Sequence, residues 1–124
     1  EAMAHRLFAA SDLFFVPSLF EPCGLTQMIA LRYGAVPIVR KTGGLADTVF
    51  DVEYSARPFH ETNGFVFDYP DTQGVDFAVK RAVLMYTKDK PRFLELQKQG
   101  MQMDYSWSRP VEQYLAVYNK LLLS

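Results

Sequence analysis

Glu21 sits in the run Phe20-Glu21-Pro22-Cys23-Gly24-Leu25-Thr26-Gln27, where one apolar stretch hands over to another. Residue types in this order suit an anion held beside hydroxyl groups. Upstream, Leu13-Phe14-Phe15-Val16 closed by Pro17-Ser18 predicts a buried parallel strand and a loop; downstream, Leu25 to Tyr33 predicts a helix. A loop that turns at Pro22 and Gly24 and then opens a helix leaves backbone N–H groups unpaired, with the positive end of the helix dipole behind them. A phosphate or sugar diphosphate answers those donors. The Glu21 carboxylate either reaches into that electropositive site and accepts from hydroxyls, or serves as a helix cap or surface charge. Flanking Phe20 and Pro22 give it a stiff, partly apolar setting, which favours the site. Cys23 reads as a buried, small apolar side chain rather than a nucleophile, since nothing near it in sequence would activate a thiol.

A second junction of the same design follows at Arg40-Lys41-Thr42-Gly43-Gly44-Leu45. Lys41, Thr42, Gly43 and Gly44 form either a phosphate-contacting loop or a tight turn from strand to helix. The run has neither the spacing of a P-loop nor that of a dinucleotide-binding fingerprint. Arg40 and Lys41 can neutralise a phosphate or stand solvated. His5 and His60 are isolated, and Cys23 is the single cysteine, so neither a metal site nor a disulfide is expected. The aromatic segments Tyr105 to Trp107 and Phe14-Phe15 read as core.

Positioning these loops requires strands and helices in alternation. Gly34 predicts the end of the first helix, Val36-Pro37-Ile38-Val39 a second strand, and Leu45 to Val52 a short helix. Two strand-loop-helix units imply a parallel sheet with right-handed crossovers, both candidate loops lying at the carboxyl ends of the strands. Glu53 to Thr62 reads as a surface loop, Asn63-Gly64 as a turn, and Phe65-Val66-Phe67 as a third strand. Asp71 or Thr72 caps the next helix, where Val75, Ala78, Val79, Ala82, Val83 and Tyr86 form the apolar face and Lys80 and Arg81 stand opposite. Pro91 suits the first turn of a further helix carrying Phe93, Leu94, Leu96 and Met101. Val111, Tyr114, Leu115, Tyr118, Leu121 and Leu122 mark a last one.

With 124 residues, 49% of them hydrophobic, the chain can bury one core. It opens at Glu1 in text that reads as mid-helix, so a fragment of a longer protein is expected. A net charge of −1 with interspersed signs gives no footprint for nucleic acid or an anionic membrane. No apolar run approaches the roughly 20 residues that span a bilayer.

The text from Ser11 to Val49, with FEPCGLTQ and KTGGL, closely resembles the C-terminal domain of bacterial glycogen synthases and plant starch synthases; NGFVFD at Asn63 to Asp68 and the ending from Trp107 extend the likeness along the chain. The resemblance implies part of the C-terminal, Rossmann-like donor domain of a GT-B retaining glucosyltransferase, with no cofactor and no metal. By the same resemblance Glu21 contacts the donor glucosyl group and stabilises charge at its anomeric carbon. Cys23 and Gly24 line the sugar pocket, while Leu25 and Thr26 offer donors to the distal phosphate of ADP-glucose. Relatives outside these synthases carry a second Glu eight positions after the first; Ile29 stands there and points to this family. The implied partners are ADP-glucose, an α-1,4-glucan, and an N-terminal acceptor domain of the same protein. A basic pair that grips the diphosphate lies upstream in the family. A catalytically silent regulatory relative that binds glucan or a nucleotide sugar, and a UDP-sugar-dependent glycosyltransferase, are the alternatives. IVRKTGGL with the following FDV resembles plant and algal enzymes, which implies a plastid; the alternative is the bacterial cytoplasm.

Overall fold

Three parallel strands, β1 (Leu13–Val16), β2 (Val36–Arg40) and β3 (Phe65–Phe67), stand in the order β1-β2-β3. The register runs from Leu13 opposite Val36 to Val16 opposite Val39, and from Ile38 opposite Phe65 to Arg40 opposite Phe67. The computed structural model describes residues 2–122, apart from the side chain of Arg109. Among the described residues six helices accompany the strands: α1 (Ala2–Ala10), α2 (Thr26–Arg32), α3 (Gly43–Thr48), α4 (Thr72–Lys88), α5 (Lys90–Gln102) and α6 (Ser108–Leu122), with a 3-10 turn at Phe59–Glu61. The expected α/β class, a parallel sheet with flanking helices, is borne out.

Alternation along β2 sends side chains to both faces of the sheet, and both are buried. On one face Val36, Ile38, Phe65 and Phe67 meet Ala78, Ala82 and Met85 of α4 and Phe93 and Leu96 of α5. Full burial of each large side chain there contributes about 1.5–3 kcal/mol. On the other face Val16, Val39, Leu45 and Val49 form a smaller cluster beneath α3. Pro37 fits a central strand because the Val36 N–H already turns to Asp12 of the β1 side; the missing donor of the next residue faces β3 just before its pairing begins at Phe65. Gly34 ends α2 with φ of +85°, as its place in the sequence predicted. There the Gly34 N–H donates to Leu31 and the Ala35 N–H to Ala30, the paired bonds of a Schellman motif.

Several expectations are corrected. The helix read from Leu45 to Val52 begins earlier and ends at Thr48, because Val49 is already extended and Asp51 bridges in parallel to Gly64. Asn63-Gly64 is not a turn: Asn63 is fully buried, accepts from the Phe50 N–H at 2.7 Å and donates to the Thr48 carbonyl at 2.8 Å. Trp107 is 70% exposed and Phe15 43%, so neither is core. The apolar stripe of α6 is also uncovered among the described residues, from Val111 at 44% to Leu122 at 84% exposed.

Arg81 departs furthest from its helical-wheel position. It turns inward and forms a fork with Asp51, with Nη1 to Oδ1 and Nη2 to Oδ2 both at 2.8 Å. The same two groups close the free edge of β3: Asp51 Oδ2 accepts from the Val66 N–H, and Arg81 Nη2 donates to the Val66 carbonyl at 3.1 Å. An ion pair thus occupies the place of a fourth strand at one rung. Burial alone would raise the Asp51 pKa; hydrogen bonds from Arg81 and from the Glu53 and Val66 N–H groups, with the Arg81 charge, outweigh it and hold the carboxyl below its ordinary value.

Because the folded Asp51 binds its proton less tightly than the unfolded one, its contribution is complete above the ordinary carboxylate pKa of about 3.9 and is lost as pH falls through the lowered folded value. Removal of one partner strands the other. Arg81→Met in the complete protein is expected to cost about 3–5 kcal/mol in denaturant unfolding, and Asp51→Asn should flatten the acid limb of the stability curve. An Arg81→Met loss below about 1 kcal/mol would show that the pair does not secure the edge.

Candidate functional site

Both strand-to-helix loops emerge at the carboxyl ends of β1 and β2 and touch. The Gly44 N–H donates to the Glu21 carbonyl at 3.0 Å. A Cβ on Gly43 would lie 1.8 Å from the Glu21 carbonyl oxygen, and one on Gly44 1.6 Å from that of Cys23. Contact this close admits only glycine at both positions. Gly43 also has φ of +46°, so the tight-turn reading of this loop is met by geometry.

Gln27 sews the same two loops together from inside. Fully buried at the first turn of α2, its Nε2 donates to the Gly24 carbonyl at 2.7 Å and to the Thr48 hydroxyl at 2.9 Å. The Thr48 hydroxyl in turn donates to the Gly44 carbonyl at 2.7 Å. Arg40 adds a third tie: its guanidinium donates to the Leu19 carbonyl at 2.7 Å, and is thereby committed to holding the loop. Neither role was visible in the sequence, where Gln27 was only the last letter of a motif. A polar residue one helical turn beyond a loop glycine, and a strand-end Arg, were the available signals.

Glu21 is half-buried, and its Oε2 accepts from the Ser18 hydroxyl at 2.9 Å, which fixes the carboxylate at the loop. Thr26 opens α2 after Leu25, and no side chain caps this start, so first-turn N–H donors remain available to a ligand. Cys23 is exposed, contrary to its reading as a small buried side chain. Leu25 is 64% exposed. Glu21 and Cys23 are thus brought against Gly43 and Gly44, and Gly24 is tied to Gly44 through Gln27 and Thr48. Lys41 stands apart from them: exposed, with its N–H on the Phe67 carbonyl at 2.8 Å, it lines a different cleft beyond β3. Thr42 precedes α3 in extended backbone with no capping bond from its side chain. Among the described residues no three His, Cys, Asp or Glu side chains gather as a metal site would need. His5 instead shares a 2.9 Å hydrogen bond with the Tyr33 hydroxyl.

A parallel α/β sheet whose strand-end loops are locked together is the architecture of an α/β domain that binds its ligand at the carboxyl ends of the strands. Comparison with known proteins narrows this further. No family model matches the chain. It is 50% identical over 121 residues to a glycogen synthase of Protochlamydia amoebophila, covering 98% of this chain and 24% of that protein. It is 49% identical over 120 residues to a probable chloroplastic/amyloplastic starch synthase 4 of Arabidopsis thaliana, covering 97% of this chain and 12% of that protein. The fold superposes on the catalytic domain of Arabidopsis thaliana starch synthase IV, solved with ADP and acarbose, at TM-score 0.91 and 49% identity, over 97% of this chain and 24% of that one. A sucrose-phosphate synthase of Thermosynechococcus elongatus shares the fold, at TM-score 0.64 and 24% identity. The resemblance read from FEPCGLTQ and KTGGL is borne out: over nearly its whole length the chain is similar to part of glycogen synthases and starch synthases. It spans about a quarter of the length of the bacterial relatives.

Substitution at the contact separates its parts. Gly44→Ala in the complete protein should force the loops apart and cost at least about 2 kcal/mol, read from denaturant unfolding. Gln27→Leu keeps the volume but strips the Gly24 carbonyl of its donor, and should cost about 1–3 kcal/mol. Wild-type stability in both variants would mean that the loops are held elsewhere.

Proposed function

We propose that the complete protein transfers glucose from ADP-glucose to the non-reducing end of an α-1,4-glucan with retention of configuration, and that this chain is the part of its C-terminal, donor-binding domain that carries Glu21. The observation that carries this reading is the TM-score of 0.91, at 49% identity, to a starch synthase catalytic domain solved with ADP and acarbose. In the proposed mechanism Glu21 faces the glucosyl group and offsets positive charge developing at the anomeric carbon. Cys23 and Gly24 border the sugar. The Leu25 and Thr26 N–H groups and the Thr26 hydroxyl receive the departing diphosphate, and Thr42 to Gly44 hold the loop from behind or add a phosphate contact. Preorganised donors at a leaving group are worth about 3–4 kcal/mol each, because they pay no reorganisation at the moment of reaction. The mechanism proposed for these residues uses neither a metal nor a cofactor.

Two surfaces support an absent remainder, which we take to include the N-terminal acceptor domain. The apolar stripe of α6 is exposed, and β1 has a strand on one side only among the described residues. We further propose a plastid as the compartment. The likeness of IVRKTGGL to plant enzymes supports it, and chloroplastic/amyloplastic relatives stand beside bacterial ones at similar identity.

Assay of the complete protein with labelled ADP-glucose and a glucan primer should show transfer, with UDP-glucose a poorer donor. Glu21→Ala should lower kcat by about 100-fold or more while the folded spectrum is kept. The 124-residue chain alone should be inactive. Near-normal turnover of Glu21→Ala would remove the carboxylate from the mechanism; no transfer by the wild type from either donor would leave a glucan- or nucleotide-sugar-binding relative.

A further inference from the structure

A cleft of about 550 Å³ lies past the β3 edge, between α3, the residues after β3 and the start of α4. Its volume falls within the range of small-ligand sites. Six of its side chains decide what it can hold: Lys41, Tyr54, Ser55, Asp68, Tyr69 and Phe77. Tyr54 and Tyr69 are 69% and 73% exposed, an arrangement that leaves aromatic faces open to a ligand. Tyr54 is nonetheless firmly placed, its ring 5.3 Å from that of Phe77 and 4.8 Å beneath the Arg81 guanidinium. The exposed aromatic surface of Tyr69, and of Tyr54 on the side away from Arg81, with hydroxyl, carboxylate and ammonium groups in the same lining, suits a pyranose ring, which presents both C–H groups and hydroxyls.

Charge separates a sugar from a nucleotide here. Asp51 on the cleft wall is neutralised by Arg81, which leaves Asp68 against Lys41. One carboxylate and one ammonium suit a neutral polyhydroxylated chain and give a diphosphate little net attraction. Lys41 also directly precedes the loop whose Gly43 and Gly44 touch Glu21 and Cys23, so the cleft opens on the same strand-end edge as the candidate donor loop.

We infer that this cleft is a second carbohydrate site, which holds a stretch of the α-glucan away from the reacting end. The inference rests on the proposed glucan-synthase reading for its ligand. Binding here retains a long acceptor between transfers, whereas an acceptor too short to span both places gains nothing.

Kinetics of the full-length protein test it. Tyr69→Ala should raise KM for long α-1,4-glucan about threefold to tenfold, and leave KM for ADP-glucose and for maltotriose unchanged. Tyr69→Phe should behave as wild type. Ser55→Trp, which fills the cleft, should reproduce the selective loss. Electrophoresis through gels containing amylopectin gives a second readout independent of turnover: wild type should be retarded, Tyr69→Ala and Ser55→Trp less so. Equal retardation in all three overturns the site, as does a KM for ADP-glucose that rises in step with that for glucan. A wild type that transfers no glucose yet shows the variant-dependent retardation defeats the enzymatic reading and sustains the cleft.

Discussion

Everything at the candidate site depends on two backbones lying closer than a side chain allows. The Glu21 and Cys23 carbonyls rest where Cβ atoms of Gly43 and Gly44 would stand. That contact fixes one loop on the end of a strand and the other on the start of a helix, so neither moves without the other. Gln27 and Thr48 then convert contact into a hydrogen-bonded unit that runs from Gly24 to Gly44. The outcome is a carboxylate and a set of N–H donors presented on a rigid edge, although both helices behind them are short, seven residues in α2 and six in α3. Helices of that length have little stability of their own; packing must supply it.

The opposite end of the small sheet is secured differently. Asp51 and Arg81 take the bonds of Val66 that another strand would otherwise take, and the loop after α3 is drawn under α4 in consequence. A buried pair is weak as a source of stability compared with apolar packing of similar volume, but costly to break. Its value here is positional: it ends the sheet at β3 and fixes Asp51 in the wall of the neighbouring cleft.

Elements were legible in the sequence where local pattern and tertiary need agree. Val36–Val39 is apolar on both faces because β2 is covered on both, Leu13–Val16 and Phe65–Phe67 are short apolar runs beside it, and Gly34 marked the end of α2 through its own backbone preference. The failures share a cause: a polar residue whose partner is far away in the chain. Arg81 falls on the polar side of the α4 pattern, yet its carboxylate lies thirty residues upstream, |i−j| = 30. Asn63 looked like half of a turn, but spans to Thr48 and Phe50. Trp107 and the α6 stripe fail for another reason, since an apolar pattern reports that a face will be covered and not by what. At the candidate site, loop chemistry singled out Glu21, Gly43 and Gly44, while Gln27 was hidden because buried amides carry no local pattern.

Stability and chemistry are therefore assigned to different parts of this segment. One face of the sheet, under α4 and α5, holds the larger cluster and asks nothing of the strand ends. The smaller cluster under α3 is what couples burial to the loops, because Leu45 and Val49 bury the helix that Gly43 and Gly44 begin. A substitution in the larger cluster would lower stability and leave loop geometry intact in the molecules that remain folded. One in the smaller cluster would shift α3, and with it the contact on which Glu21 is seated, so its cost would register at the site before it registered in the fold.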